Sequence, residues 1–110
     1  MRTLKAASEI DALFKTGRRG NTDLLVILST QTPPRRDPEG RVVFVAGKKL
    51  GGAVMRNRCK RVMRAAVRRA GGPWSGRDVA VMAKATAATA RPAALDAALA
   101  EALRRAGVAS

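Results

Sequence analysis

The sequence predicts an α/β (α+β) sandwich in which helices pack on a mainly antiparallel sheet, and three observations carry that prediction. Segments beginning at Cys59 and at Pro92 repeat their apolar residues at helical spacing. Three short apolar runs, Leu24–Leu28, Val42–Ala46 and Val79–Ala83, are partly β-branched and bounded by turn formers. With 110 residues the chain can hold one modest core and not two, so residues 1–110 read as a single domain.

A first helix is expected to start at Ser8 as N-cap, with Asp11 at N3, and to stop at Gly17. Ile10, Leu13 and Phe14 form its apolar stripe, and Phe14 taken alone reads as core. Arg18 and Arg19 follow in a turn, either solvated or touching a partner. Leu24–Leu28 is apolar at every position, as in a strand covered on both faces. The prolines of Thr32–Gly40 exclude regular structure there, and Val42–Ala46 is expected to return as the antiparallel partner of the preceding strand.

Gly47–Gly52, carrying Lys48 and Lys49, delivers the chain to the central helix. Its glycines suit a close backbone approach to a ligand and simple helix entry equally well. That helix ends before Gly71-Gly72-Pro73, and Trp74 is expected to anchor the following loop against the core. After the strand Val79–Ala83 the last helix starts with Pro92 at N1 and buries Leu95, Ala98, Leu99, Ala102, Leu103 and Ala106, with Gly107 as its stop. A strand, helix and strand in succession would by default cross over right-handed.

The central helix has two unlike faces. Cys59, Val62, Met63, Ala66, Val67 and Ala70 make the buried stripe, while Asn57, Lys60, Arg61, Arg64 and Arg68 lie opposite, with Arg58 and Arg69 at the margin. No acid falls between Glu39 and Asp78, so no neighbour one turn away neutralises these cations. The whole chain has 22 Lys and Arg against 8 Asp and Glu, a net charge of +14. Self-repulsion on such a face costs stability, and its presence points to a polyanionic partner. The preponderance of arginine favours bidentate phosphate and base-edge contacts.

Composition also excludes chemistry. There is no histidine and one cysteine, which removes the usual zinc sites, His-dependent acid/base pairs and an internal disulfide. No paired-carboxylate spacing or phosphate-cradling loop is present, so no catalytic residue and no metal ligand is assigned. The first residues, M-R-T-L-K-A-A-S-E-I-D, are charged where a signal peptide would be apolar, and no stretch reaches the length of a membrane span. A reduced buried thiol at Cys59 and a cytoplasmic location are the expectation.

The segment K-K-L-G-G-A-V-M-R-N-R-C-K-R-V-M-R resembles the protein subunit of bacterial ribonuclease P, whose pattern is two lysines, Gly-Asn-Ala-Val, Arg-Asn-Arg and a basic helix. Leu13-Phe14-Lys15-Thr16-Gly17 and Asp78–Lys84 support it. The resemblance implies an α-β-β-β-α-β-α order with a left-handed crossover through the basic helix and an extra short strand near Arg18–Asn21. It implies that Arg56, Asn57, Arg58, Lys60, Arg61 and Arg64 contact the catalytic RNA and nearby substrate phosphates, a surface extended here by Lys48, Lys49 and Arg68. It further implies a cleft between the first helix and the sheet for the 5′ leader of precursor tRNA, lined at Ile10, Phe14 and Ile27.

Three positions depart from that pattern: Ile10 and Ile27 stand where aromatics are frequent, and Gly52 where Asn is usual. Leader binding is therefore expected to lean on charge more than on stacking, which is worth about 1–3 kcal/mol per base. In this reading the RNA partner, with the Mg2+ it requires, performs the hydrolysis, and the protein binds no cofactor of its own. Asn57 could orient a water on a cation, bond a phosphate or cap the helix. A ribosomal or RNA-chaperone role would use the same composition. A DNA regulator would need a paired helix behind the basic one, and a membrane-surface helix would need bulkier apolar residues, so neither DNA nor membrane is expected as partner.

Overall fold

The computed structural model describes residues 7–32 and 40–108. Helix α1 spans Ala7–Thr16, and strands β1 (Arg18–Asn21) and β2 (Leu25–Gln31) follow. Strand β3 (Val42–Val45), helix α2 (Ala53–Arg69), strand β4 (Arg77–Ala83) and helix α3 (Pro92–Arg105) complete the chain, with short 3₁₀ turns at Lys48–Leu50 and Ala85–Thr89. The predicted α/β class, the element order and the extra strand at Arg18–Asn21 are all present.

The sheet order is β1-β2-β4-β3. β2 pairs antiparallel with β1 and, from Leu25↔Ala83 to Gln31↔Arg77, with β4. β3 pairs only with β4, in parallel, so α2 is the crossover between them. This corrects the expected hairpin of β2 with β3. β4 is apolar on both faces and takes the central place, and the long connection of residues 32–40 lets β3 reach its far side. Most of the turn predicted for Thr32–Gly40 lies outside the described residues.

Alternation along the strands divides the interior. Leu25, Ile27, Val42, Phe44, Val79 and Val81 face α2 and α3, where Met63, Ala66, Val67, Leu95, Leu99 and Leu103 close over them. Leu28 and Ala80 face the other way and meet Leu13 of α1, with Val43 and Met82 alongside. α3 lies directly on β1 because Gly20 has no side chain: a Cβ there would stand 2.0 Å from the Ala102 carbonyl oxygen. The Ser29 hydroxyl donates to the Ala106 carbonyl at 2.7 Å and fastens the end of α3 to β2.

Helix ends depart from the sequence reading in two places. α1 already includes Ala7, so Ser8 is inside it and is not its cap. α2 begins at Ala53 with Gly52 as N-cap, six residues before the periodic stripe starts at Cys59, which places Asn57 in the helix body and removes the capping role considered for it. Ala70, counted on the stripe, is the C-cap and is exposed. Trp74 packs against the core as expected.

Candidate nucleic-acid interface

The site is built on the first half of α2. Gly51 has φ +118°, a conformation open to glycine, and it turns the chain from the 3₁₀ turn into the helix. Gly52 then has extended backbone, and its carbonyl accepts the first helical hydrogen bond from Arg56 N–H at 3.0 Å. No side chain caps this end, and the first turn holds no acid. The unpaired N–H groups and the helix dipole therefore favour an anion there.

Burial of Cys59, Met63, Ala66 and Val67 fixes the rotation of α2 and turns Asn57, Arg58, Arg61, Arg64 and Arg68 to solvent. Lys60 and Arg56 are half-buried. Between the end of β3 and the first turns of α2 lies a depression of about 220 Å³ lined by Ala46, Ala53, Arg56, Asn57 and Lys60. The Arg56 Nε is buried and has no hydrogen-bond partner among the described residues. Leaving such a donor unpaired is costly, and an anion's oxygen in the depression would satisfy it. Lys49 is exposed on the adjoining turn; the side chain of Lys48 lies outside the described set.

Two cations of α2 are engaged within the fold. The Arg64 guanidinium carbon lies 5.3 Å from the centroid of the Phe44 ring, a cation–π contact that holds Arg64 over the edge of the core. Arg69 is bound to Asp96 of α3, with Nε at 3.0 Å from both carboxylate oxygens and Nη2 at 2.8 Å from Oδ1. These hydrogen bonds raise the Arg69 pKa further above its ordinary value. The acid-free stretch in sequence is thus neutralised at one end by an acid brought in by the fold.

The second predicted surface, the cleft against α1, needs a correction. Ile27 is completely buried on the α2/α3 side of the sheet and does not face α1. Its strand is apolar at every position from Leu25 to Leu28, so its two faces there could not be told apart without the register. The positions on the α1 side are Leu28 and Ala80 with the half-buried Val43 and Met82, which sequence reasoning did not single out. Phe14 is 49% exposed on α1, which sets aside the purely core reading. Ile10 lies on α1, with its side chain outside the described set.

Among the described residues there is no cluster of potential metal-ligating side chains, and no helix is long and apolar enough to cross a membrane.

A family model described as Ribonuclease P matches residues 1–107 of the chain. The ribonuclease P protein component of a Dehalococcoides mccartyi strain is 38% identical over 78 residues, which cover 71% of this chain and 64% of that one. The component from a Nitratiruptor species is 38% identical over 65 residues, covering 59% and 55%. The matched stretches therefore span between half and two thirds of these relatives. Among solved structures, the Staphylococcus aureus RNase P protein superposes with a TM-score of 0.82 at 23% identity, over 100% of this chain and 99% of that one. The Thermotoga maritima RNase P protein gives 0.74 at 23% identity, over 91% and 93%. At that identity the likeness is one of fold.

Proposed function

The chain belongs to the ribonuclease P protein family, and from that premise we propose that it is the non-catalytic protein subunit of a tRNA 5′-processing endoribonuclease. As one RNA-binding domain it holds the catalytic RNA on α2 and guides the 5′ leader of precursor tRNA along the cleft beside α1. The observation that carries this reading is the half-buried Arg56, whose Nε lacks a partner among the described residues and lies in a depression shared with Asn57 and Lys60, beside the exposed Arg58, Arg61, Arg64 and Arg68. A phosphate seated there meets a donor already desolvated and oriented, and the exposed arginines and Lys49 follow the backbone with releasable counterions.

Magnesium bound by the RNA would supply the Lewis acid for phosphodiester hydrolysis. Arg56 and Lys60 flank Asn57, a cationic setting that disfavours a divalent ion held by the protein alone. The chain's own part is to bind, to position and to screen the repulsion between leader and RNA core. With that role we assign the protein to the cytoplasm.

The test is cleavage of precursor tRNA across a magnesium titration with the matching ribonuclease P RNA alone, the protein alone and both together. The protein should lower the magnesium needed, and replacement of Arg56, Asn57 and Arg58 by Ala should weaken that effect. Specific 5′ cleavage by protein without RNA, or no effect of protein at any magnesium level, would overturn the proposal.

A further inference from the structure

A second concave site lies at the far end of α2 from the Arg56 depression. It has a volume of about 300 Å³, at the lower end of the range in which small ligands are held. Its apolar walls are Ala66 of α2 and its C-cap Ala70, Ala100 and Leu103 from α3, and Trp74. Trp74 is pressed against the backbone on one side, since a Cβ at Gly72 would stand 3.0 Å from the ring, and it lines the cavity as well. An aromatic surface held in this way can stack on a planar ligand at little ordering cost.

The polar groups at the same cavity are Arg69, Asp96 and Arg104. Arg69 is paired with Asp96 and Arg104 with Glu101, and the N–H groups that these pairs leave over can bind a phosphate. Asp96 Oδ2 receives one hydrogen bond from Arg69 and keeps acceptor capacity for an exocyclic amino group, which adenine, cytosine and guanine present and uracil does not. Arg69 also ends the basic face, so that Arg64 and Arg68, one turn apart, lead from the proposed RNA track to the cavity.

We propose that this cavity is a nucleotide subsite, taking one unpaired amino-bearing base (adenine, cytosine or guanine) of the RNA bound along α2, with the base on Trp74 and its phosphate on the N–H groups that Arg69 and Arg104 have left over from their ion pairs. This rests on the reading of α2 as an RNA-binding face.

Trp74 is the one tryptophan of the chain, so its emission reports the cavity directly. The full-length protein is titrated with adenosine monophosphate, with end-labelled single-stranded oligoadenylate and oligouridylate, and with inorganic polyphosphate, reading Trp74 emission and label anisotropy. Saturable quenching by adenosine monophosphate and oligoadenylate is expected, weaker quenching by oligouridylate, and none by polyphosphate. Ala100→Leu on α3 and Ala70→Leu at the C-cap of α2, both lining the cavity, should abolish the quench. Each should lower oligoadenylate affinity roughly five- to 150-fold, the weight of one base stack. Oligoadenylate binding with silent Trp74, quenching that survives both substitutions, or equal quenching by polyphosphate overturns the subsite while leaving the RNA-binding face standing. Failure of every oligonucleotide to bind at low salt removes that face, and the subsite with it.

Discussion

Arg64 is held over the Phe44 ring, its guanidinium carbon 5.3 Å from the ring centroid, so a side chain on the basic face is oriented by a residue of the core. Phe44 is buried on β3 against α2, and the contact couples the packing of the crossover to the direction in which one arginine points. Arg64→Ala should lose about 0.5–1 kcal/mol of stability with the cation–π contact. If Arg64 also meets a phosphate, the same change should flatten the slope of log affinity for RNA against log salt by about 0.7–0.9. Arg64→Lys should restore the slope and only part of the affinity. Denaturant unfolding and salt-dependent binding check the two halves separately, and an unchanged slope in the Ala variant would take Arg64 out of the interface.

Gly52 stands where related sequences are expected to carry Asn, and it is the N-cap of α2 with no side-chain hydrogen bond to the helix. A Cβ at this position meets nothing within 4 Å, and its φ of −75° suits any residue. Gly52→Asn should therefore supply the missing cap and raise stability by a few tenths of a kcal/mol, a rise in Tm of about 1–2 °C. Calorimetry checks it, and a lowered Tm would show that the acceptor fails to reach the first-turn N–H groups.

Cys59 is completely buried on the α2 stripe and is a free thiol. Its replacement by Ala removes packed volume without touching the basic face, so Cys59→Ala should cost about 1 kcal/mol or somewhat more in stability and leave RNA affinity unchanged. The native thiol should react with a maleimide only as fast as the chain opens. Rapid labelling of the folded protein would contradict its burial.

The legible parts of this fold are those in which one side of an element is polar. α2 and α3 declare their buried residues by spacing, because cations or alanines fill the rest of each turn. The strands do not, since β2 is apolar at every position from Leu25 to Leu28 and only its register with β4 shows that Ile27 and Leu28 point to opposite layers. The expected β2–β3 hairpin followed closeness in sequence, whereas the apolar faces of β4 gave it the central place. β1 is mostly polar, Arg18-Arg19-Gly20-Asn21, and the residue that anchors it does so by lacking a side chain, a signal that family resemblance supplied and periodicity could not. The basic face was visible in the sequence. The depression at Arg56 was not, because it needs Ala46 from the end of β3.

Glu101 binds Arg104 and Arg105 one turn further along α3. The hydrogen bond from Arg104, its charge, and the weaker contribution of Arg105 hold the Glu101 carboxyl below its ordinary value. A depressed carboxyl stabilises the fold at pH above its unfolded value, and that contribution is lost as pH falls through the folded one. Glu101→Gln should be slightly less stable than the parent at neutral pH, and the two should converge in acid. Thermal unfolding at a series of pH values tests this, and a gap that widens in acid would reverse the sign.

Ile27 and Phe14, paired by resemblance as two walls of one cleft, are separated by the sheet and should behave oppositely on truncation. Ile27 is fully buried, so Ile27→Ala should cost about 2–5 kcal/mol of stability through lost burial and the cavity left behind. Phe14 is 49% exposed on α1, and Phe14→Ala should cost far less stability. If its ring stacks on a base of the 5′ leader, the same substitution should weaken binding of leader-bearing precursor tRNA by about 1–3 kcal/mol. Leaderless tRNA serves as the control, since a stacking ring on the leader path leaves its affinity unchanged. Urea unfolding of both variants, with binding of the two RNAs to the assembled ribonucleoprotein, separates the roles. Equal losses for leader-bearing and leaderless RNA in Phe14→Ala would remove α1 from the leader path.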